Sequence, residues 1–424
     1  MDSNDVIFSV QTNTLESVDG RCVLYAGGST TGGSGVKQWD GLTSQWLAFG
    51  GGIIGSGGSF GDVNSLEYGN IGEGDSLYVL GRFSHVGDPQ NPLPANNVAR
   101  WDGSQWHSLG SGLTLGSVPK NGSAHVLFIF DDGSGARLFA GGNFVDPLDP
   151  NSEIAVAVWD GSSWQPAAAG FDSPDVVWDF CSFDDGSGEA LYAAGGFLRP
   201  DSGSDLLAKW NGSSWVKVAT GTPSDSVAHT LETWNDGTGV SLYMGGMFEQ
   251  VEGIPATNAI ARLDGQGQGW SSVGGGMSNN ENIVFDLAVY DDGSGSALYA
   301  TGAFTIPELS SDNIAKWDTV SWSTLDNTGL NSTGGRAMVV HDTGSGAMLV
   351  VGGPFSSPAS KIAQWGGCVC VADVNQDGIL DFSDMQMYLN WYSVQDARSD
   401  MNCDGLYDFF DVQIFWGLYA AGCN

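Results

Sequence analysis

Two stretches near the C-terminus carry oxygen ligands at the spacing of a calcium-binding loop. The first runs from Asp373 to Asp384, and the second runs from Asp400 to Asp411. Calcium takes about six to eight hard oxygens, and alternating Asp and Asn followed by Gly lets them converge on one point. We therefore predict two bound Ca²⁺ ions. Their ligands are Asp373, Asn375, Asp377, Ile379, Asp381 and Asp384 for one ion, and Asp400, Asn402, Asp404, Leu406, Asp408 and Asp411 for the other.

Each loop runs into an apolar segment that predicts one helix, over 382–391 and 409–420. No helix is predicted before the first loop. This duplicated loop and helix, with a chain end that reads Gly-Cys, resembles a dockerin of the kind found on secreted bacterial proteins. The resemblance covers residues 371–424 and implies a cohesin-like partner that contacts loop positions ten and eleven. These positions are Phe382, Ser383, Phe409 and Phe410. The alternative partner for this module is another copy of the same chain.

Four of the six cysteines, Cys368, Cys370, Cys403 and Cys423, lie in the same C-terminal stretch. Cysteines that cluster in a small terminal module are typical of disulfides in an exported protein. Four cysteines allow three full pairings, and the spacing does not choose among them. We expect a secreted protein, or one attached to the cell surface, whether or not a leader has been removed.

A second set of chemically useful residues lies at equivalent positions of a long repeat. Aligned on their hairpin glycines, the repeats carry a variable residue on their first strand, where the chain has His125, Trp178, His229, Phe285 and Arg336. We expect these side chains to surround a central channel. Two imidazoles, an indole and a guanidinium can hold a sugar or a carboxylate by stacking and hydrogen bonding. The alternative is that they only fill the channel.

The repeat that positions these residues has two recognisable parts. An apolar segment of the type Leu-Tyr-x-Gly-Gly begins at Leu24, Leu77, Leu138, Leu191, Leu242, Leu298 and Leu349. A Trp-Asp-Gly element follows at Trp39, Trp101, Trp159, Trp210, Leu263, Trp317 and Trp365, at intervals of about 50 residues. Such a period predicts one four-stranded propeller blade per repeat. Turns such as Asp-Asp-Gly-Ser-Gly separate the first two strands, because Gly accepts positive φ and Asp bonds its own backbone.

The repeats predict an all-β, seven-bladed β-propeller over residues 1–367, with a small α-helical calcium module over 368–424. Paired glycines and spaced aromatic residues resemble the kelch repeat of galactose-oxidase-like propellers. The seventh copy stops after Trp365. We expect residues 6–10 to supply its missing fourth strand and so close the ring, because closure removes exposed sheet edges. Deletion of residues 1–12 should then lower stability strongly.

The composition limits the classes of partner. The chain has 49 acidic and 14 basic residues and a net charge of −35, which repels nucleic-acid phosphates and anionic membranes. No run of about 18 apolar residues predicts a membrane span. We predict neither a nucleic-acid partner nor a membrane-spanning segment.

The sequence nominates no catalytic residue. The five histidines do not combine with a nucleophile or metal motif, and no set matches the copper-radical site of galactose oxidase. We therefore predict a secreted, non-catalytic protein whose propeller binds a glycan or a protein and whose tail attaches it to a partner. Two alternatives are a structural subunit of an extracellular fibre or surface layer, and a polysaccharide-active enzyme displayed by its tail.

Overall fold

Each repeat folds into its own antiparallel sheet, in which strands that follow one another along the chain pair edge to edge. The computed structural model describes residues 6–12, 23–29, 35–40, 45–56, 61–116, 124–167, 170–171, 175–198, 204–223, 226–265, 269–306, 312–325, 329–331, 334–342, 347–356, 361–365, 374, 382–396, 399, 401 and 406–421. The expected boundary between residues 367 and 368 lies outside these ranges.

Among the described residues, seven sheets follow the order of the repeats. Sheet 1 contains β1 (Val6–Thr12), β2 (Leu24–Ser29), β3 (Val36–Asp40) and β4 (Gln45–Leu47). A small three-stranded sheet contains β5 (Ile53–Ile54), β8 (His85–Val86) and β9 (Leu93–Pro94), and sheet 2 contains β6 (Asp62–Gly69), β7 (Ser76–Arg82), β10 (Val98–Trp101) and β11 (Trp106–Ser108). Sheet 3 contains β12 (Ala124–Asp131), β13 (Ala136–Val145), β14 (Glu153–Trp159) and β15 (Trp164–Pro166).

The remaining sheets repeat this plan. Sheet 4 contains β16 (Val176–Asp184), β17 (Glu189–Leu198), β18 (Ser204–Trp210) and β19 (Trp215–Thr222), extended by β22 (Gln250–Val251). Sheet 5 contains β20 (Val227–Asn235), β21 (Val240–Met247), β23 (Ile260–Leu263) and β24 (Trp270–Ser272). Sheet 6 contains β25 (Ser278–Asp291), β26 (Ser296–Thr305), β27 (Asp312–Trp317) and β28 (Trp322–Ser323), and sheet 7 contains β29 (Ala337–Asp342), β30 (Ala347–Gly352) and β31 (Ile362–Trp365).

The first strands of these sheets lie side by side around a common axis. Strands β1, β6, β12, β16, β20, β25 and β29 contact one another in chain order, and β29 also contacts β1. The sheets therefore radiate from this axis in a propeller-like all-β arrangement. The first strand of each sheet is its inner edge.

The expected role of the N-terminal strand is wrong. Residues 6–12 pair with β2 and form the inner strand of sheet 1, so they do not supply a fourth strand to sheet 7. Sheet 7 has three strands within the described residues. The physical reason lies in the buried face of β1: Ile7 is fully buried against Ala26 of sheet 1 and Ala337 of sheet 7. Sheets 1 and 7 therefore meet through their faces, without a shared strand.

Glycines of the second strands allow the sheets to pack closely. A Cβ atom on Gly141 would lie 2.6 Å from Val177 Cγ1 in the next sheet, and one on Gly245 would lie 2.5 Å from Val284 Cγ1. These separations are shorter than any carbon contact allows. Only glycine therefore permits this approach of neighbouring sheets.

The tryptophans that begin the fourth strands, after the Trp-Asp-Gly turns, pack between sheets. The indole Nε1 of Trp164 donates to Leu109 O at 3.1 Å, that of Trp215 to Ala167 O at 2.9 Å, and that of Trp322 to Val273 O at 3.3 Å. Each bond reaches back to the segment that follows the preceding sheet. The indoles thus combine a large apolar contact with a satisfied polar group.

The Asp-Asp-Gly-Ser-Gly segments are hairpin turns. In the turn between β12 and β13, Asp131 Oδ1 accepts hydrogen bonds from the amides of Gly133 and Gly135, at 2.8 and 2.9 Å. Both glycines have positive φ. In the matching turn of sheet 4, Asp185 Oδ2 accepts from Tyr192 Oη and Lys209 Nζ. These carboxylates therefore stabilise turns.

The opposite face of the ring carries the longer connections. The connection from β7 to β10 contains β8 and β9, which pair with each other, and β8 also pairs with β5. The connection from β21 to β23 contains β22, which adds to the edge of sheet 4. These loops have structure of their own and differ from sheet to sheet.

Two helices follow the sheets, α1 (Phe382–Ser393) and α2 (Phe409–Ala421), where the sequence predicted them. The rings of Tyr388 and Phe415 stack face to face, with their centroids 3.9 Å apart, and both residues are fully buried. Neither helix, nor any other within the described residues, has the length and apolarity that a membrane-spanning helix needs.

Candidate functional site

A bulge near the start of the inner strand selects which side chain faces the axis. The register between the first two strands shifts around Asn64, His125, Trp178, His229 and Phe285, so each of these residues is the extra residue of its strand. Bulges change the direction of a side chain and often do so at functional positions. The repeat therefore presents one variable side chain per sheet at the same level of the axis.

Arg336 holds the same place in sheet 7. It directly precedes Ala337, which pairs with Gly352 of β30, and the Arg336 amide donates to Gly352 O at 2.7 Å. The five residues predicted from the alignment thus lie at one level, at the end of the inner strands where the longer connections are found.

The structure brings these five side chains into one continuous series of contacts, which we call the channel ring. The rings of His125 and Trp178 stack with centroids 3.7 Å apart, and Trp178 meets His229 edge to face at 4.6 Å. His229 meets Phe285 at 5.6 Å, and Arg336 Cζ lies 3.7 Å above the centre of the Phe285 ring. Each member contacts the member from the next sheet.

A cavity of about 300 Å³ opens along the axis, and all five channel-ring residues line it. Asn64 also lines it and was missed by the sequence analysis. The sequence spacing could have identified Asn64, because Asn64 precedes Leu77 by thirteen residues, just as His125 precedes Leu138. Asn64 Nδ2 donates to Ala124 O of the next inner strand at 2.8 Å, so this amide is part of the wall.

Burial keeps both histidines of the channel ring neutral. Desolvation, with a smaller contribution from the neighbouring His229, lowers the pKa of His125 to about 3. Desolvation and the charge of Arg336 lower the pKa of His229 to about 4. Both side chains are half-buried. Each imidazole ring lines the cavity, and protein encloses the rest of the ring. His125 Nε2 has no hydrogen-bond partner among the described residues.

Arg336 supplies the positive charge of the channel ring. Its guanidinium lies flat on Phe285, and burial lowers the pKa of Arg336 from its usual value. Within the described residues it forms no ion pair with a carboxylate. A guanidinium offers five N–H donors and stays charged at any physiological pH.

Below the channel ring, polar side chains bind the inner strand of the following sheet. Asp179 Oδ2 accepts a hydrogen bond from the Leu231 amide at 2.7 Å, and Asp286 Oδ2 accepts one from the Met338 amide at 2.5 Å. Ser65 Oγ accepts from the Leu127 amide at 2.9 Å in the same way. An inner strand is a sheet edge, and its free amides need a partner when buried. These side chains supply that partner.

Three carboxyl groups of this lower level have pKa values raised to neutrality or above it. Burial is the main cause, and it raises the pKa of Asp179 to about 8, that of Glu232 to about 8 and that of Asp286 to about 7. Mutual repulsion among these carboxylates adds to the pKa values of Asp179 and Glu232. The cavity therefore combines one guanidinium, two neutral imidazoles and three acids whose pKa values burial has raised.

A comparison with solved structures supports this description of the fold. It is a GH74 xyloglucanase from Xanthomonas campestris, with a TM-score of 0.51 and 15% sequence identity over 86% of the present chain. The present chain covers 55% of that enzyme. At this identity the similarity establishes a β-propeller-like all-β fold and nothing about activity.

A second solved structure has a lower TM-score than the xyloglucanase. It is the extracellular domain of a hybrid two component system from B. thetaiotaomicron, with a TM-score of 0.47, 10% identity, and coverage of 85% of this chain and 38% of that one. No protein-family model matches the chain, and no curated protein matches it.

Most of the predicted calcium ligands, and the four C-terminal cysteines, lie outside the described residues. The exceptions are Asp384, Leu406, Asp408 and Asp411. Asp411 is fully buried at the start of α2, where its Oδ1 accepts from the Met401 amide at 2.9 Å and its Oδ2 from the Asp408 amide at 2.8 Å. Within the described part of the chain, no three His, Cys, Asp or Glu side chains are grouped as metal ligands.

The predicted partner-binding positions lie on the surface of the helical module. Phe382, Phe409 and Phe410 are 69%, 72% and 61% exposed, and Ser383 is also exposed. These aromatic rings do not pack into the small core formed around Tyr388 and Phe415. The first turn of each helix therefore exposes at least one phenylalanine ring.

Proposed function

We propose that this is an extracellular, non-catalytic binding protein that recognises a glycan through the channel ring. The observation that carries the proposal is the convergence of five different side chains from five sheets on one cavity of about 300 Å³. A cavity of this size is at the lower end of the range for small-molecule sites. The structural role of the deeper carboxylates supports a non-catalytic function, because Asp179 and Asp286 are engaged by backbone amides.

We also propose that the sheets form a closed, seven-bladed propeller of kelch-like type. Support comes from the contacts of the seven inner strands, which run in chain order and return from β29 to β1. In such a ring the blades are a scaffold, and the residue at each bulge can vary without disturbing the strands.

The C-terminal module is proposed to be a dockerin-like, calcium-loaded attachment device. Its support is the pair of helices after the two loop sequences and the exposure of Phe382, Phe409 and Phe410. The partner would be a cohesin-like domain or a second copy of this chain. A protein of this construction works outside the cell, free or held at the cell surface.

The binding proposal is tested with Trp178→Ala and His229→Ala on a glycan array, followed by titration of the best ligand. Both changes remove a wall of the cavity, so we expect at least a tenfold loss of affinity. Leu148→Ala is the matched control, because Leu148 is 68% exposed and lies outside the cavity wall. Unchanged binding in both channel variants would refute the proposal and leave the channel ring as a plug.

A structural subunit is the second candidate, and the exposed phenylalanines favour it. Light scattering of the full chain, with and without Ca²⁺, distinguishes the two functions. Growth of the particle size with both protein and Ca²⁺ concentration would favour assembly. A constant monomer mass would favour attachment to a different partner.

A further inference from the structure

Arg336 is unusual among the basic residues of this acidic protein. Seven other described Arg and Lys side chains form an ion pair with a carboxylate. These pairs are Arg82–Asp62, Arg100–Glu73, Arg137–Asp132, Lys209–Asp185, Lys217–Asp175, Arg262–Asp236 and Lys316–Asp292. The whole chain has 49 acidic and 14 basic residues, so carboxylates are plentiful. Within the described residues Arg336 nevertheless has none, although it lines the central cavity.

Four described acids line the cavity, and each accepts a backbone amide; Glu67 Oε1 accepts from the Ile129 amide at 3.1 Å. Asp179 and Asp286 accept backbone amides across the gap between sheets, and Glu232 Oε1 accepts from the Thr233 amide at 2.9 Å. Arg336 instead rests on an aromatic face, which holds its guanidinium in place, and within the described residues it pairs with no carboxylate. A partly desolvated cation without a counter-ion is costly, and a bound anion relieves that cost.

We infer that the channel ring binds a carboxylate-bearing sugar, such as a uronic acid, and that Arg336 binds its carboxylate. This inference rests on the proposed glycan-binding function and specifies the class of glycan. The planar guanidinium matches a carboxylate with two parallel hydrogen bonds. Trp178, which lines the same cavity, offers apolar surface to a sugar ring.

The test uses the full chain and isothermal titration with D-glucuronate, D-galacturonate, D-glucose and D-glucuronamide. The amide has the shape of the acid without its charge. We expect one of the two acids to bind at least tenfold more tightly than the amide and glucose. In Arg336→Gln this preference should disappear, and in Arg336→Lys it should be reduced, because a lysine keeps the charge but loses the paired donors.

Arg262→Gln is the matched control, since it makes the same change of charge in the ion pair with Asp236 and lies outside the cavity wall. It should keep the wild-type preference. N-Acetylglycine, a carboxylate that is not a sugar, should bind at least tenfold more weakly than the preferred acid. Equal binding of N-acetylglycine would contradict the sugar part of the inference.

Two results would overturn the assigned role of Arg336 in binding a carboxylate. One is equal affinity of the wild-type protein for the acids and the amide, which needs no variant to fold. The other is a preference for the acid that persists in Arg336→Gln. In either case the glycan-binding function stands if a neutral glycan binds and Trp178→Ala abolishes its binding. Absence of binding by every sugar would remove the inference, and the glycan array then decides the fate of the wider proposal.

Discussion

At the scale of single residues, two aspartates show how a structural task and an unusual charge state go together. Asp179 and Asp286 lie one residue after a bulge and bind amides of the following sheet. Their burial raises the pKa of both side chains toward neutrality or above it. The same position in sheet 2 is Ser65, which makes the equivalent bond without a charge.

These two aspartates make stability depend on pH. The unfolded chain loses their protons near the ordinary pKa of about 4. The folded chain keeps them up to a pH of about 7 for Asp286 and about 8 for Asp179. Because the folded state binds more protons in this interval, their contribution to the free energy of unfolding is complete below about pH 4 and falls as the pH rises to about 8.

Urea unfolding between pH 5 and pH 9 checks this prediction with Asp179→Asn and Asp286→Asn, since an amide mimics the protonated acid. Each variant should gain stability relative to the wild type as the pH increases. Asp149→Asn, a change in an exposed turn, is the control and should follow the wild-type curve. Parallel curves for all four proteins would contradict the prediction.

At the scale of elements, the N-terminal strand shows how a sheet edge can be misassigned. The sequence indicates a strand at residues 6–10 and a seventh repeat without a fourth strand. The prediction was that residues 6–10 pair with the seventh repeat. In the structure β1 is bonded to β2, and its contact with sheet 7 comes from the packing of its face on β29 and β30. In all seven main sheets of the described residues, the first strand pairs with the strand that follows it along the chain, and β1 obeys the same rule.

Replacement of Ile7 by Ala tests the packing of β1. Ile7 is fully buried between sheets 1 and 7, so we expect a loss of about 2–5 kcal/mol in the free energy of unfolding. Leu148→Ala, at a 68% exposed position, should change it by no more than about 0.5 kcal/mol. Denaturant unfolding followed by tryptophan fluorescence measures both. Similar values for the two variants would mean that β1 does not join the sheets.

At the scale of the whole molecule, two parts of the chain use different sources of stability. The sheets have extended apolar clusters that cross from one sheet to the next, such as the one that joins sheets 3 and 4. The helical module has a small core in which Tyr388 and Phe415 are the fully buried residues described. A core of this size gives little stability to a module of about 55 residues, so we expect metal binding to contribute.

Removal of calcium should therefore unfold residues 371–424 and leave the sheets intact. We expect EDTA to abolish the helical circular-dichroism signal, and Ca²⁺, added in excess over EDTA, to restore it. Mg²⁺ is the control ion, because it demands a smaller octahedral site. The main thermal transition of the sheets should not move. A helical signal that survives EDTA would contradict the calcium proposal.

The periodic parts of the fold were the parts that local chemistry could predict. Leu-Tyr-x-Gly-Gly and Trp-Asp-Gly segments became second and third strands, and Asp131 with its glycines became a hairpin turn. Both helices begin where predicted, at Phe382 and Phe409. These features depend on residues close in sequence, whose preferences the repeat displays several times. The seven-bladed count, the calcium ions and the docking partner remain predictions.

By itself the sequence determined the all-β class, the strand-and-turn order and the residues of the channel ring, because equal offsets in a repeat become equal positions in space. Only the tertiary structure decided where β1 pairs, and that Asp179 and Asp286 are engaged by amides of another sheet. Those facts depend on which sheets become neighbours. Hydrogen bonds between distant segments leave no periodic mark in the chain, so the packed molecule alone reveals that the acids beside Arg336 in the cavity wall are already bound to the backbone.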